Sequence, residues 1–227
     1  MLHEACSLDF IWGACMHSTV IINGTELEEW RVKQVVANGQ ECICADGAGN
    51  SLYDWGIVPA VLVGDMDSIN PEALAHYRSC TTVVAIPDQY STDLEKALTV
   101  AIDRGATEIT VVGAVGGRID HTLTNLAILH KYGRRVQLHM VDAQGEGSLW
   151  VTAKRLRTIT LEHALGSTIS LIPFGLVKGV STVGLKYPLH DEVLAWGIRE
   201  GQSNVAVETT VLISFTDGAL FVYSLGN

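Results

Sequence analysis

The chain has 227 residues, 48% hydrophobic and 18% charged, with a net charge of −10. That length gives one large domain or two small ones with a proper core, and the composition is that of a globular chain. Only 15 residues are Lys or Arg, too few for a broad nucleic-acid footprint, and no apolar run reaches the ~20 residues of a membrane span.

The first segment, residues 1–16, is mildly apolar but lacks a basic start, so it reads as a flexible extension ahead of Met16 rather than a signal peptide. The five cysteines include no C-x-x-C pair, which predicts reduced thiols and a cytoplasmic setting. Cys42 and Cys44 share one face of a strand and are expected to be buried. Short β-branched runs follow at 18–22, 41–45, 60–64, 81–86, 108–113 and 135–141. Between them lie helical patterns. In residues 91–104, Leu94, Ala97, Leu98, Ala101 and Ile102 fall on one face. Thr92 and Glu95 form a capping box at its start and Gly105 suits its end. Leu123, Leu126 and Ala127 mark another helix before Gly133, and Pro71 marks a third start.

Alternating strands and helices predict an α/β domain over 17–145, a mostly parallel, Rossmann-like sheet with helices on both faces. AQGEGS, around residue 145, reads as a linker. Beyond it, strand-like runs at 156–161, 167–172, 179–183, 205–214 and 219–225 predict an all-β sandwich or jelly-roll domain over 146–227.

In such a sheet ligands bind outside the carboxyl ends of the strands. The residues there are Asp46, then Asp65 and Asp67 in GDMDS, then Asp88 and Asp93, then Arg118 and Asp120 in GGRIDH. Each acid alone could serve a turn or a helix start. Together they crowd several carboxylates into one crevice, where repulsion calls for a divalent cation. Asp65 and Asp67 lie two apart on an extended segment and point the same way, so both can reach one ion. Carboxylates without His or Cys favour Mg²⁺, which works with substrate phosphates. Glycines 47, 49, 113, 116 and 117 would let phosphate approach the backbone closely. No P-loop, dinucleotide fingerprint or G-x-S-x-G is present.

CADGAGN, GDMDSI, DQYSTDLEKAL, GGRIDHTLTNL, SLIPFG, GLKYPL and QSN occur in the order found in thiamin pyrophosphokinases, and over residues 18–225 the chain resembles that family. The resemblance implies transfer of a pyrophosphoryl group from ATP to thiamin, giving thiamin diphosphate and AMP. It also implies a homodimer with active sites at the subunit interface. It implies Mg²⁺ ligation by Asp65, Asp67 and Asp93, and phosphate or nucleotide contacts from Gln89, Thr92 and Arg118, a set in which Asp46 is counted. Asp120 is implied as an acid near the thiamin hydroxyl, as base or as orienter, and Ser203 and Asn204 as pyrimidine contacts. Tyr187 stands where Trp is common, and stacking and core packing are both open to it. Tyr90 stands where relatives often carry an acid. Two other readings stay open: a pyrophosphokinase for another hydroxymethyl heterocycle such as a pterin, and a non-catalytic thiamin or nucleotide binder.

Overall fold

A computed structural model describes residues 16–24, 27–162 and 165–225. The expected extension over 1–16 lies outside the described residues except for Met16. The chain forms two compact units, one spanning Ala14–Ala143 and the other holding Gln144–Asn227.

In the first unit six strands are parallel: β1 (His17–Ile21), β2 (Glu41–Ala45), β3 (Val61–Gly64), β4 (Thr82–Ala85), β5 (Glu108–Val112) and β6 (Gln137–Val141). Their order is β6-β5-β1-β2-β3-β4. The chain therefore runs outward from β1 to β4 and jumps back to β5, which makes the β1/β5 boundary the switch point of the sheet. Five helices connect the strands: α1 (Glu29–Asn38), α2 (Gly49–Asp54), α3 (Pro71–Cys80), α4 (Asp93–Asp103) and α5 (Ile119–Tyr132).

Strand alternation sorts the core into two layers. Ile21, Cys42, Cys44 and Leu62 pack with Val32, Val35, Leu52, Ala73 and Tyr77 of α1 to α3. The opposite face of β1 to β3 carries α4, whose Leu94, Ala97, Leu98 and Ala101 are buried. Thr92 caps α4 by accepting the Glu95 N–H at 3.3 Å, as the capping-box pattern requires. Burial of Leu98 alone makes Leu98→Ala a loss of about 2–5 kcal/mol. Cys42 and Cys44 are buried free thiols, and burial pushes the Cys42 thiol up to about 12. In α5 the residues facing the core are Ile128, Leu129 and Tyr132. Leu123, read from the sequence as an apolar face marker, is 52% exposed, so only the second half of α5 packs down. Among the described residues no helix is long and apolar enough to cross a membrane.

The second unit is an antiparallel sandwich. One sheet has the order β12-β9-β14-β7 and the other β11-β10-β13-β8. The strands are β7 (Gly145–Thr152), β8 (Arg157–Glu162), β9 (Thr168–Pro173), β10 (Leu176–Val183), β11 (Glu192–Ala195), β12 (Gly201–Val205), β13 (Thr210–Phe215) and β14 (Gly218–Leu225). Leu171, Leu220 and Val222 of one sheet meet Ile159, Val180, Ile213 and Phe215 of the other in a single core.

The expected AQGEGS linker is instead the start of β7, which pairs with β14 from Gly145↔Leu225 onward. Its glycines serve packing rather than flexibility, since a Cβ at Gly147 would lie 2.5 Å from the Phe221 ring. Likewise the expected single strand over 205–214 divides into the end of β12 and β13.

Candidate active site

The carboxyl ends of β2, β3 and β4 lie side by side, and the loops after them bring the acids together. Asp46 opens a 3₁₀ turn (Asp46–Ala48) directly after β2. Asp65 directly follows Gly64, the last residue of β3. Carboxylate oxygens of Asp46, Asp65 and Asp67 lie within 4.8 Å of one another. Asp46 is buried and both of its oxygens are engaged: Oδ1 accepts the Gly47 N–H at 2.7 Å and Oδ2 the Met66 N–H at 2.8 Å. Burial raises the Asp46 pKa, the Met66 N–H opposes this, and the charges of Asp93 and Asp65 add to the rise.

Asp65 is held the other way. The Gln89 carboxamide donates to its Oδ2 at 2.9 Å and the Asp67 N–H to its Oδ1 at 3.2 Å. The Gln89 bond is the main cause holding the Asp65 pKa below the ordinary range. Gln89 itself rides on a tight turn in which Asp88 accepts the N–H groups of Tyr90 and Ser91, each at 3.0 Å.

One cation in this cluster went unnoticed in the sequence. Lys96 is buried, with its Nζ 3.6 Å from Asp93 and 4.0 Å from Asp65. A buried ammonium needs paired acids, and here it bridges Asp93 and Asp65; Asp93, the third ion ligand that the resemblance implies, is not among the three acids that converge. The signal was its place, a lysine in the first turn of the helix that begins at the acid edge. Thr92 is the α4 cap, and its hydroxyl oxygen is used by Glu95. Tyr90 is fully exposed.

Arg118 and Asp120 come from the loop after β5 and the start of α5. The order β5-β1-β2-β3 puts three strand spacings, roughly 14 Å, between β5 and β3. Arg118 grips Asp120 through two hydrogen bonds, Nε to Oδ1 at 3.1 Å and Nη2 to Oδ2 at 2.6 Å. That fork lowers the Asp120 pKa to about 2. Of the glycines considered for phosphate contact, Gly47 and Gly49 have a packing reason: a Cβ would meet Asn23 at 3.1 Å and Leu62 and Ile69 at 3.0 Å.

In the second unit, Ser203 and Asn204 sit at an irregularity of the β12/β9 ladder. Ser203 has a φ of 56° and an exposed side chain. Asn204 is buried, and its carboxamide is committed to the backbone of Tyr187: Nδ2 donates to the carbonyl at 2.7 Å and Oδ1 accepts the N–H at 3.1 Å. Asn204 thereby pins the GLKYP loop, while the Tyr187 ring is 61% exposed with Lys186 5.4 Å from its centroid. Core packing does not describe Tyr187.

The three acids fit a hard divalent cation. They offer oxygen only, at a spacing that one ion can span, and burial makes the Asp46 charge costly until a cation compensates it.

Residues 32–141 match the family model "Thiamin pyrophosphokinase, catalytic domain", and residues 157–220 match "Thiamin pyrophosphokinase, vitamin B1 binding domain". Thiamine pyrophosphokinase 1 of Oryza sativa subsp. japonica is 29% identical over 211 residues, covering 82% of this chain and 79% of its own. The Bacillus subtilis thiamine pyrophosphokinase is 27% identical over 177 residues, 76% of this chain and 81% of its own. The crystal structure of the Bacillus subtilis enzyme superposes with a TM-score of 0.80 at 23% identity, covering 93% of this chain and 99% of that one. Two adjoining family matches, relatives alike over most of their length and a shared two-part fold place this chain in the thiamin pyrophosphokinase family.

Proposed function

We propose that the protein uses ATP and Mg²⁺ to pyrophosphorylate thiamin, releasing AMP. The observation that carries this reading is the cluster of Asp46, Asp65 and Asp67 with the buried Lys96 behind it. It joins a cation site to a fixed positive charge at the edge where the sheet binds ligands.

In this reading the thiamin hydroxyl oxygen forms a bond to the β-phosphorus, the bond from that phosphorus to the α–β bridging oxygen breaks, AMP leaves with that oxygen, and the hydroxyl proton is released to solvent. Bound Mg²⁺ supplies charge neutralisation and a template for the phosphate oxygens. Asp46, Asp65 and Asp67 hold the ion. Lys96 keeps Asp65 and Asp93 tolerable beside one another and offers its remaining donors to phosphate. Gln89 orients Asp65, and Arg118, whose Nε and Nη2 hold Asp120, offers its remaining N–H groups to phosphate oxygens. Asp120, with a pKa of about 2, is a weak base at neutral pH and is better suited to orienting the hydroxyl than to removing its proton. The acidic cleft attracts the cationic thiazolium. Ser203 and the Tyr187 ring, held by Asn204, form the thiamin-facing surface.

The same reading includes a homodimer with shared active sites and a cytoplasmic setting, the latter supported by the free buried Cys42 and Cys44. The match of residues 157–220 to a vitamin B1 binding domain favours thiamin over a pterin. The test is incubation with ATP, Mg²⁺ and thiamin. AMP that forms only with all three is expected; ADP, or AMP that requires a pterin instead, would overturn the reading.

A further inference from the structure

The loop that carries Asp65 and Asp67 returns sharply into α3, and Met66 within it has a φ of 68°, a left-handed conformation uncommon for residues with a side chain. Such a turn needs external support to persist. Asp46 supplies one point, through the Met66 N–H. A second point comes from a residue that takes no part in the chemistry above. Asn50, in the first turn of α2, donates from Nδ2 to the Ser68 carbonyl at 2.9 Å and accepts the Asn70 N–H on Oδ1 at 2.8 Å. The same Nδ2 is 3.3 Å from the Gly47 carbonyl. The carboxamide thus pairs with residues 68 and 70 as a neighbouring strand would, with one donor and one acceptor bond, and ties them to the turn that Asp46 opens.

We propose that Asn50 is a positioning residue for the cation site, holding the Asp65–Asp67 segment at ion-binding spacing against Asp46 before the ion arrives. This rests on the reading of that cluster as the Mg²⁺ site. Both ends of the Asn50 carboxamide are committed to backbone, so its role is to hold the ligand segment rather than to ligate. Its contribution is preorganisation, since a carboxylate pair that must be ordered on binding binds more weakly. No smaller side chain spans both Ser68 O and Asn70 N, and Asp at this position loses the donor.

The test uses the full chain without nucleotide or thiamin, titrated with Mn²⁺ and followed by the loss of the free-ion electron paramagnetic resonance signal. Asn50→Ala should weaken Mn²⁺ binding about tenfold, in the range seen when outer partners of metal ligands are removed. It should also speed hydrogen exchange at the Asn70 amide in the metal-free protein. If Asn50→Ala does not fold, Asn50→Ser, which can make only one of the two bonds, is read in the same way. A folded variant that is less heat-stable yet binds Mn²⁺ like the parent would show a merely structural role and overturn the proposal. Asp65→Asn is the control. If it too leaves Mn²⁺ binding intact, the cation-site reading itself fails; if it weakens binding while the Asn50 variant does not, only this inference fails.

Discussion

Asp46 and Met66, 20 residues apart, are joined by a 2.8 Å hydrogen bond from the Met66 N–H to Asp46 Oδ2. The bond places the buried carboxylate against the backbone of the next strand's loop. It also explains the residue between them: a Cβ at Gly64 would fall on the Asp46 carboxylate. The G-D-M-D order is thus a packing requirement as well as a chemical one. Glycine lets Asp46 in, Met66 turns the chain, and Asp65 and Asp67 converge on Asp46.

Gly64→Ala is therefore expected to displace Asp46 and weaken divalent-cation binding by about tenfold or more, although the added group is one methyl. Mn²⁺ titration of the purified variant checks this. Parental affinity would show that Asp46 does not need its observed position.

Asp65→Asn and Asp67→Asn are each expected to lower turnover about 100-fold or more while the fold is kept. Circular dichroism and activity across a Mg²⁺ series give the answer. Asp65→Asn also takes a paired acid from buried Lys96 and a charged acceptor from Gln89, so its metal-free unfolding midpoint should fall modestly, whereas that of Asp67→Asn should stay close to the parent's. Near-normal turnover at low Mg²⁺ would remove these residues from the site.

These positions were legible in the sequence because β-branched runs locate strand ends, and the α/β order of the first unit follows from the same runs. Thr92 and Glu95 were legible from the capping-box spacing, which is local to the start of α4. Lys96 and Asn50 were not, because their roles depend on which loops meet across β2, β3 and β4, a matter of tertiary placement rather than spacing. Strand β7 was hidden by glycines that normally mark turns, though here Gly147 admits the Phe221 ring and Gly145 the backbone of Ser224. Strand β11, at four residues, is too short to show a period, and β12 carries a single large apolar residue, Val205. Asn204 read as a ligand contact, yet both ends of its carboxamide serve the Tyr187 backbone, which no motif spacing reveals.

Asn204→Ala should release the Tyr187 loop. Two side-chain bonds to Tyr187, each worth about 1 kcal/mol, are lost, so the thiamin KM is expected to rise roughly tenfold with the ATP KM little changed. Steady-state kinetics in both substrates separates this from a general loss of fold, which would lower kcat and leave the two KM values alike.

The pH behaviour of the acids differs in sign. Asp120 has a lowered pKa, so its pairing with Arg118 contributes stability above the ordinary carboxylate range, and that contribution is lost as pH falls toward about 2. Both groups are exposed, and the effect on stability is small. Asp46 has a raised pKa. Its contribution to stability is present below the ordinary value and is lost as pH rises through the raised one. Arg118→Ala should return the Asp120 pKa toward about 3.9, as followed by carboxyl carbon chemical shifts. An unchanged value near 2 would mean that Arg118 is not its cause.

The most direct test of the central claim follows the phosphorus atoms. ATP labelled separately at the β and γ positions is incubated with the protein, Mg²⁺ and thiamin, and the products are separated. The account predicts that both labels arrive together in thiamin diphosphate and that the AMP is unlabelled. Transfer of the γ label alone, leaving the β label in ADP, would contradict it.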